Sequence, residues 1–190
     1  MAGIIVYDFS ESQFGECLIA RSGKGVCFLD FVIDTRDESR CRLAIAHAGE
    51  TLCRRPGGLD HLADMAFDPA GAAKVEVDLR GTDFQVTVWN VLRTIKSGTT
   101  TTYAWVASRI GRPNAVRAVA GAIARNRVAC LIPCHRVIRS DGDLGGYRWG
   151  VELKSRLLEF EKTRHPRHGP AYQPIFEEET KNKIFVPATF

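Results

Sequence analysis

Residues 103–125 read YAWVASRIGRPNAVRAVAGAIAR, and their spacing predicts two short helices around a tight turn. The first runs from Tyr103 to Ile110 and closes at Gly111. Pro113 follows, Asn114 is a natural N-cap, and Ala115, Val116, Val119, Ala120, Ala122 and Ile123 carry a second helix to Arg125. Two helices joined by a short glycine-containing turn match a helix-turn-helix, in which the second helix is the one offered to DNA. That helix has a face of small residues (Ala115, Ala118, Ala120, Gly121, Ala122) that lets a partner approach its backbone, and Arg117 has no acidic neighbour. A helical hairpin whose alanines pack on its own core shares the pattern, so charge has to arbitrate.

Residues 84–140 hold 9 basic side chains, Arg112, Arg117 and Arg125 among them, and no Asp or Glu. Residues 1–80 hold 9 basic and 13 acidic ones. A 57-residue stretch without a carboxylate creates a local positive field that the net charge of +4 conceals. This favours a polyanionic partner, DNA or RNA foremost, over a surface that is basic only for solubility. With 45% hydrophobic and 25% charged residues, a largely disordered or collagen-like chain is excluded. No apolar run approaches the roughly 20 residues that cross a bilayer. Met1–Asp8 also lacks the basic start and apolar core of a signal peptide. The expectation is a soluble intracellular protein with no membrane partner.

Upstream of the hairpin, Phe84, Val88, Val91, Leu92 and Ile95 place one apolar stripe on a helix over 83–96, capped by Thr82 or Asp83 and ended at Ser97–Gly98. The first third alternates apolar runs with turns. Ile4–Phe9, Cys17–Ala20 and Val26–Ile33 read as strands, with Phe14-Gly15 and Arg21–Gly25 as hairpin connections. Asp37–Ala48 has helical spacing, with Cys41, Ala44, Ile45 and Ala48 as its stripe. Arg54–Gly58 breaks the pattern, Leu59–Phe67 reads as another helix, and Val75–Leu79 as a short strand. The character changes at Gly81. The expected class is α+β in two subdomains: a small α/β unit over 1–80, a mainly helical one over 81–164, and a tail over 165–190.

Six cysteines stand at 17, 27, 41, 53, 130 and 134, with no C-x-x-C pair and no zinc-finger spacing. Five read as buried small hydrophobes. A zinc site from Cys17, Cys27, Cys53 and His47 or His61 has nothing in the spacing to favour it. Cys134 differs. In Ile132-Pro133-Cys134-His135-Arg136-Val137-Ile138 it follows a rigid proline, precedes His and Arg, and lies in the carboxylate-free stretch. Thiolate is the nucleophilic form of cysteine, and basic surroundings or a His–carboxylate pair enrich it. Adjacent residues on a strand diverge, so Cys134 and His135 need a turn, or a bridging water, to cooperate. The other reading of this heptad is a buried structural cysteine beside a capping histidine.

Pro133-Cys134-His135-Arg136 resembles the active-site motif of the O6-alkylguanine-DNA alkyltransferases, the methylated-DNA–protein-cysteine methyltransferases. The resemblance runs from Arg80-Gly81-Thr82-Asp83-Phe84 through Tyr103, Gly111–Val119, Asn126, Gly146-Tyr147-Arg148-Trp149-Gly150 and Lys154–Glu161. It is strongest toward bacterial members, including the catalytic part of the adaptive-response regulator. It implies a ribonuclease-H-like domain over 1–80 and a winged-helix-like domain carrying the helix-turn-helix. It further implies that Cys134 takes the alkyl group from O6 of a flipped guanine, and from O4-alkylthymine, in one irreversible turnover. His135 deprotonates Cys134 through a water, Glu161 orients His135, and Asn126 supports the turn. Tyr103 assists base rotation and protonates the departing guanine. Tyr147, with the backbone at Val137 and Arg148, lines the base pocket, and Arg117 fills the vacated stack. Asn114, Ala115, Ala118, Arg112 and Arg125 complete the minor-groove surface.

The implied chemistry, displacement at an alkyl carbon, needs no metal and no cofactor. The implied protein is a monomer acting on duplex DNA that contains O6-alkylguanine, cytoplasmic in a bacterium and nuclear in a eukaryote. The four-cysteine zinc domain of the adaptive-response regulator has no counterpart in the chain, which argues against methylation-triggered transcription. Three other readings remain: a non-catalytic sensor of alkylated DNA, a winged-helix transcription regulator, and a Cys hydrolase. The intact Cys–His–Glu set argues against the first, and the lack of an oxyanion-hole signature against the last. A regulator predicts a defined operator, the alkyltransferase a lesion.

Overall fold

The computed structural model describes residues 3–164, so the tail expected over 165–190 lies outside the described residues. Three strands, β1 (Ile4–Ser10), β2 (Cys17–Ser22) and β3 (Gly25–Phe31), form an antiparallel meander. Helix α1 (Arg36–Ala46) then returns the chain so that β4 (Thr51–Arg54) pairs parallel to β1, giving the order β3-β2-β1-β4. Under α1, Leu43 packs with Ile5, Tyr7, Leu18, Ala20, Cys27 and Phe28. The opposite face presents Cys17, Ile19, Val26, Leu29 and Phe31 to the larger core.

That larger core draws on residues from both sides of position 80. Helices α2 (Asp60–Phe67) and the single turn α3 (Pro69–Ala72) lead to α4 (Asp83–Arg93). Thr82 and Gln85 form a capping box, Thr82 Oγ1 accepting from Gln85 N and Gln85 Oε1 from Thr82 N. Helix α5 (Tyr103–Arg109), capped by the Thr102 hydroxyl, and α6 (Val116–Ala124) pack against α4 through Val88, Leu92, Val106, Ala107, Val119 and Ala122. Trp89 Nε1 donates to the Ala122 carbonyl at 3.0 Å. A two-residue parallel pair, β5 (Thr101–Thr102) with β6 (Val137–Ile138), and the long α7 (Val151–Arg164) complete the α+β architecture. β3 reaches directly to the segment before Cys134, with Leu29 N donating to Arg127 O and Ala129 N to Leu29 O, each at 2.9 Å.

Four local expectations are corrected. The stripe Cys41, Ala44, Ile45 and Ala48 faces solvent, with Ile45 76% exposed. Helix α1 docks instead through Ser39 and Leu43, because Arg42 is drawn to the buried carboxylate of Asp30 at 2.8 Å. Val75–Leu79 makes only an isolated bridge, Val26 to Val77, and the fourth strand is Thr51–Arg54. That edge strand is largely exposed, so it carries no hydrophobic alternation to read. Asn114 does not cap α6. The helix starts at Val116 behind Ala115 with no side-chain cap, the preceding turn being closed by backbone bonds from Ala115 N to Arg112 O and Gly111 N to Ser108 O. Cys41 and Cys53 are exposed, not buried.

Candidate active site

The loop between α6 and Cys134 is wound around one side chain. Asn126 is 2% exposed; its Oδ1 accepts from Val128 N at 2.9 Å, and its Nδ2 donates to Ile132 O at 2.9 Å and to Cys134 Sγ at 3.1 Å. Cys130, at φ 62°, turns the chain through the left-handed region. Residues Cys134–Arg136 then form one turn of 3-10 helix. That turn removes the strand geometry in which neighbouring side chains diverge, and it buries Cys134 and His135 together.

His135 Nε2 meets Glu161 Oε1 at 2.9 Å, while its Nδ1 is buried with no partner among the described residues. Glu161, on α7, also accepts from Arg136 Nη2 at 2.7 Å, from Arg136 Nε, and from Gly98 N at 3.0 Å. Arg136 Nη1 is spent on the Ile95 carbonyl at 2.6 Å. Burial alone would raise the Glu161 carboxyl, but the hydrogen bonds and charges of His135 and Arg136 outweigh it and hold it at about 2. Burial pushes His135 below its ordinary range against the pull of Glu161, so the imidazole is neutral and Nδ1 carries the free lone pair. Burial raises the Cys134 thiol, and the Asn126 amide and Lys154 charge oppose that rise.

Lys154 is 1% exposed, and its Nζ donates to Val137 O at 2.6 Å and Leu144 O at 2.5 Å. Burial lowers its pKa to about 8. It ties β6 to the loop that carries Tyr147. The Tyr147 hydroxyl is close enough to Cys134 to favour the thiolate but makes no hydrogen bond of full geometry. Burial, and then Cys134, raise the Tyr103 phenol. Gly145 sits at φ 67°, in the left-handed region that favours glycine, where the loop passes the Tyr103 hydroxyl.

Cys134, His135, Glu161, Asn126, Tyr103 and Tyr147 are thus gathered around one sulfur. Val137 is buried with its carbonyl held by Lys154, and Arg148 is exposed at the rim, its guanidinium 5.9 Å from the Trp149 ring. Arg117 and Ala118 are exposed on α6 and Arg125 just past its end, Ala115 is half-buried, and Asn114 and Arg112 are exposed on the turn before it. Arg136 belongs to the buried cluster, so it does not contribute to the basic surface as its place in the carboxylate-free stretch suggested. Its role, and that of Lys154, are absent from the sequence reading. A signal for Lys154 exists: it shares a helix face with Leu157, Leu158 and Glu161, a spacing that puts both charges at core positions of α7. A cavity of about 440 Å³ lies elsewhere, between Tyr7, Phe9, Arg36, Arg40 and Arg54, and each arginine there already pairs with a carboxylate. Among the described residues no group of three or more His, Cys, Asp or Glu is arranged to hold a metal ion.

Residues 83–163 match the family model of the 6-O-methylguanine DNA methyltransferase, DNA binding domain. A methylated-DNA–protein-cysteine methyltransferase of Mycobacterium tuberculosis is 52% identical over 163 residues, covering 86% of this chain and 96% of its own. This chain belongs to the methylated-DNA–protein-cysteine methyltransferase family. The bifunctional transcriptional activator/DNA repair enzyme Ada of Escherichia coli is 37% identical over 167 residues, 85% of this chain. The chain spans only 46% of that relative's length. The crystal structure of M. tuberculosis OGT in complex with DNA superposes with a TM-score of 0.66 at 34% identity, covering 85% of this chain and 94% of that one. The methyltransferase family model ends two residues beyond Glu161, so it encloses the whole cluster around Cys134.

Proposed function

We propose that this chain repairs DNA by moving an alkyl group from O6 of guanine, and from O4 of thymine, onto Cys134. The observation that carries the reading is the Cys134 thiol held by Asn126 beside a neutral His135, whose Nε2 is committed to Glu161 and whose Nδ1 is unpartnered. A water at Nδ1 relays the thiol proton to the ring, and Glu161, held in place by Arg136, steadies the imidazolium. Sulfur attacks the alkyl carbon, the C–S bond forms as the C–O bond breaks, and guanine leaves with the electron pair, protonated by Tyr103. The thioether is stable, so each molecule reacts once.

The target must leave the stack to reach a buried sulfur, at a cost of a few kcal/mol that falls for a damaged pair. Exposed Arg117 on the small-residue face of α6 suits the vacated space. Arg112, Asn114, Ala115, Ala118 and Arg125 flank it on a helix-turn-helix directed to the minor groove. Tyr147, Val137 and Arg148 bound the base pocket. In this reading residues 1–80 form a ribonuclease-H-like subdomain and 81–164 a winged-helix-like one, and the protein acts as a cytoplasmic monomer. The test is intact mass and peptide mapping after incubation with a duplex containing O6-methylguanine. A gain of about 14 Da on Cys134 alone, absent in a Cys134→Ala variant that still binds DNA, is the expected result. Lesion-selective binding with no mass change overturns it in favour of a sensor.

A further inference from the structure

Asp30 sits in β3, a strand whose seven residues are all buried, where a carboxylate needs strong partners. It has two. Arg42 Nε donates to one oxygen at 2.8 Å, and Trp149 Nε1, 119 residues away in sequence, donates to the other at 2.7 Å. The Trp149 ring is 4% exposed and wedged edge-on between Phe31 (centroids 5.8 Å, 76°) and Tyr147 (5.2 Å, 64°). The Tyr147 hydroxyl has no full hydrogen bond, so packing of its ring against Trp149, with the Lys154 ammonium 6.0 Å from the ring centre, sets where the side chain stands.

We propose that Asp30 is a positioning residue of the base pocket: it fixes Trp149, and Trp149 fixes Tyr147. The first 80 residues thereby govern how well the pocket holds its base, without touching it. This rests on the alkyl-acceptor reading, in which Tyr147 lines that pocket. A tie that merely joined β3 to the C-terminal half would affect stability and leave base recognition alone.

The experiment is saturation kinetics of benzyl transfer from free O6-benzylguanine to Cys134, read by intact mass, with a thermal midpoint for each protein. The free base needs neither duplex contacts nor Arg117. Trp149→Phe keeps a ring but loses the donor, and Asp30→Ala loses the acceptor. Each is expected to raise the half-saturating concentration about tenfold, the scale of one buried hydrogen bond, with the limiting rate within about twofold of the parent. The double variant is expected to be no worse than the worse single, as for two ends of one interaction. Asp30→Asn keeps Oδ1 for the indole but turns its amide toward the Arg42 donor, so its midpoint is expected to fall while half-saturation recovers to within about threefold. Additive effects, a fall in limiting rate alone, or lowered midpoints with unchanged half-saturation overturn the proposal. Should Asp30→Ala not fold, Trp149→Phe against Asp30→Asn decides by the same criteria. A parent that takes up no benzyl group overturns the alkyl-acceptor reading and this inference with it; a reactive parent with unaltered variants overturns this inference alone.

Discussion

His135 has one nitrogen committed to Glu161 and one left over, and that asymmetry sets its chemistry. The carboxylate fixes the tautomer and strengthens the lone pair at Nδ1, while burial keeps the ring neutral below the ordinary histidine range. Glu161→Gln keeps the shape but removes the charge. It is expected to slow alkyl transfer about 100-fold, within the range for general-base catalysis, in single-turnover assays, with DNA affinity retained. Cys134 and His135 were legible as chemistry because their types and order are unusual. Arg136 was not: as one of nine basic residues in a carboxylate-free stretch it read as surface, and only the fold brings Glu161 from 25 residues away to bury it.

Helix α6 presents exposed Arg117 and Ala118 on one side and buries Val119, Ala122 and Ile123 on the other. Arg117→Ala is therefore expected to slow repair of duplex lesions at least tenfold while reaction with free O6-benzylguanine stays within about twofold, both measured as second-order rates. Equal slowing of both substrates contradicts an intercalating role. The helices of the catalytic half were readable because apolar residues recur at helical spacing over long stretches. Helix α1 was misread because its apolar residues are few, and one arginine bonded to Asp30 decides which face docks. β4 was missed because a four-residue edge strand has no buried face to mark it.

At the scale of the whole molecule, two charge effects have opposite reach. The basic stretch acts through solvent on phosphates, so binding to duplex DNA is expected to weaken steeply with salt, with log Kd against log salt rising by several units per decade. A flat titration contradicts the phosphate contacts. The buried groups act on stability. Glu161 titrates at about 2 when folded against 4.5 ordinarily, so its stabilisation of about 3 kcal/mol is complete above pH 4.5 and lost as pH falls toward 2. His135 is depressed below 6.5, so the unfolded chain takes up its proton first and stability also falls as pH drops under 6.5. Urea midpoints are expected to hold between pH 7 and 8, decline gently below 6.5, and fall steeply from 4.5, with Glu161→Gln removing most of the steep phase.

By itself the sequence determined the helical hairpin with its arginine, the carboxylate-free stretch, and Cys134 beside His135, because each is a local matter of spacing and side-chain type. Only the tertiary structure decided which way α1 faces, that Arg136 and Lys154 are buried, and that Asp30 reaches Trp149. Those outcomes depend on which charges find partners across the core, where an unpaired charge costs several kcal/mol and so dictates the packing around it.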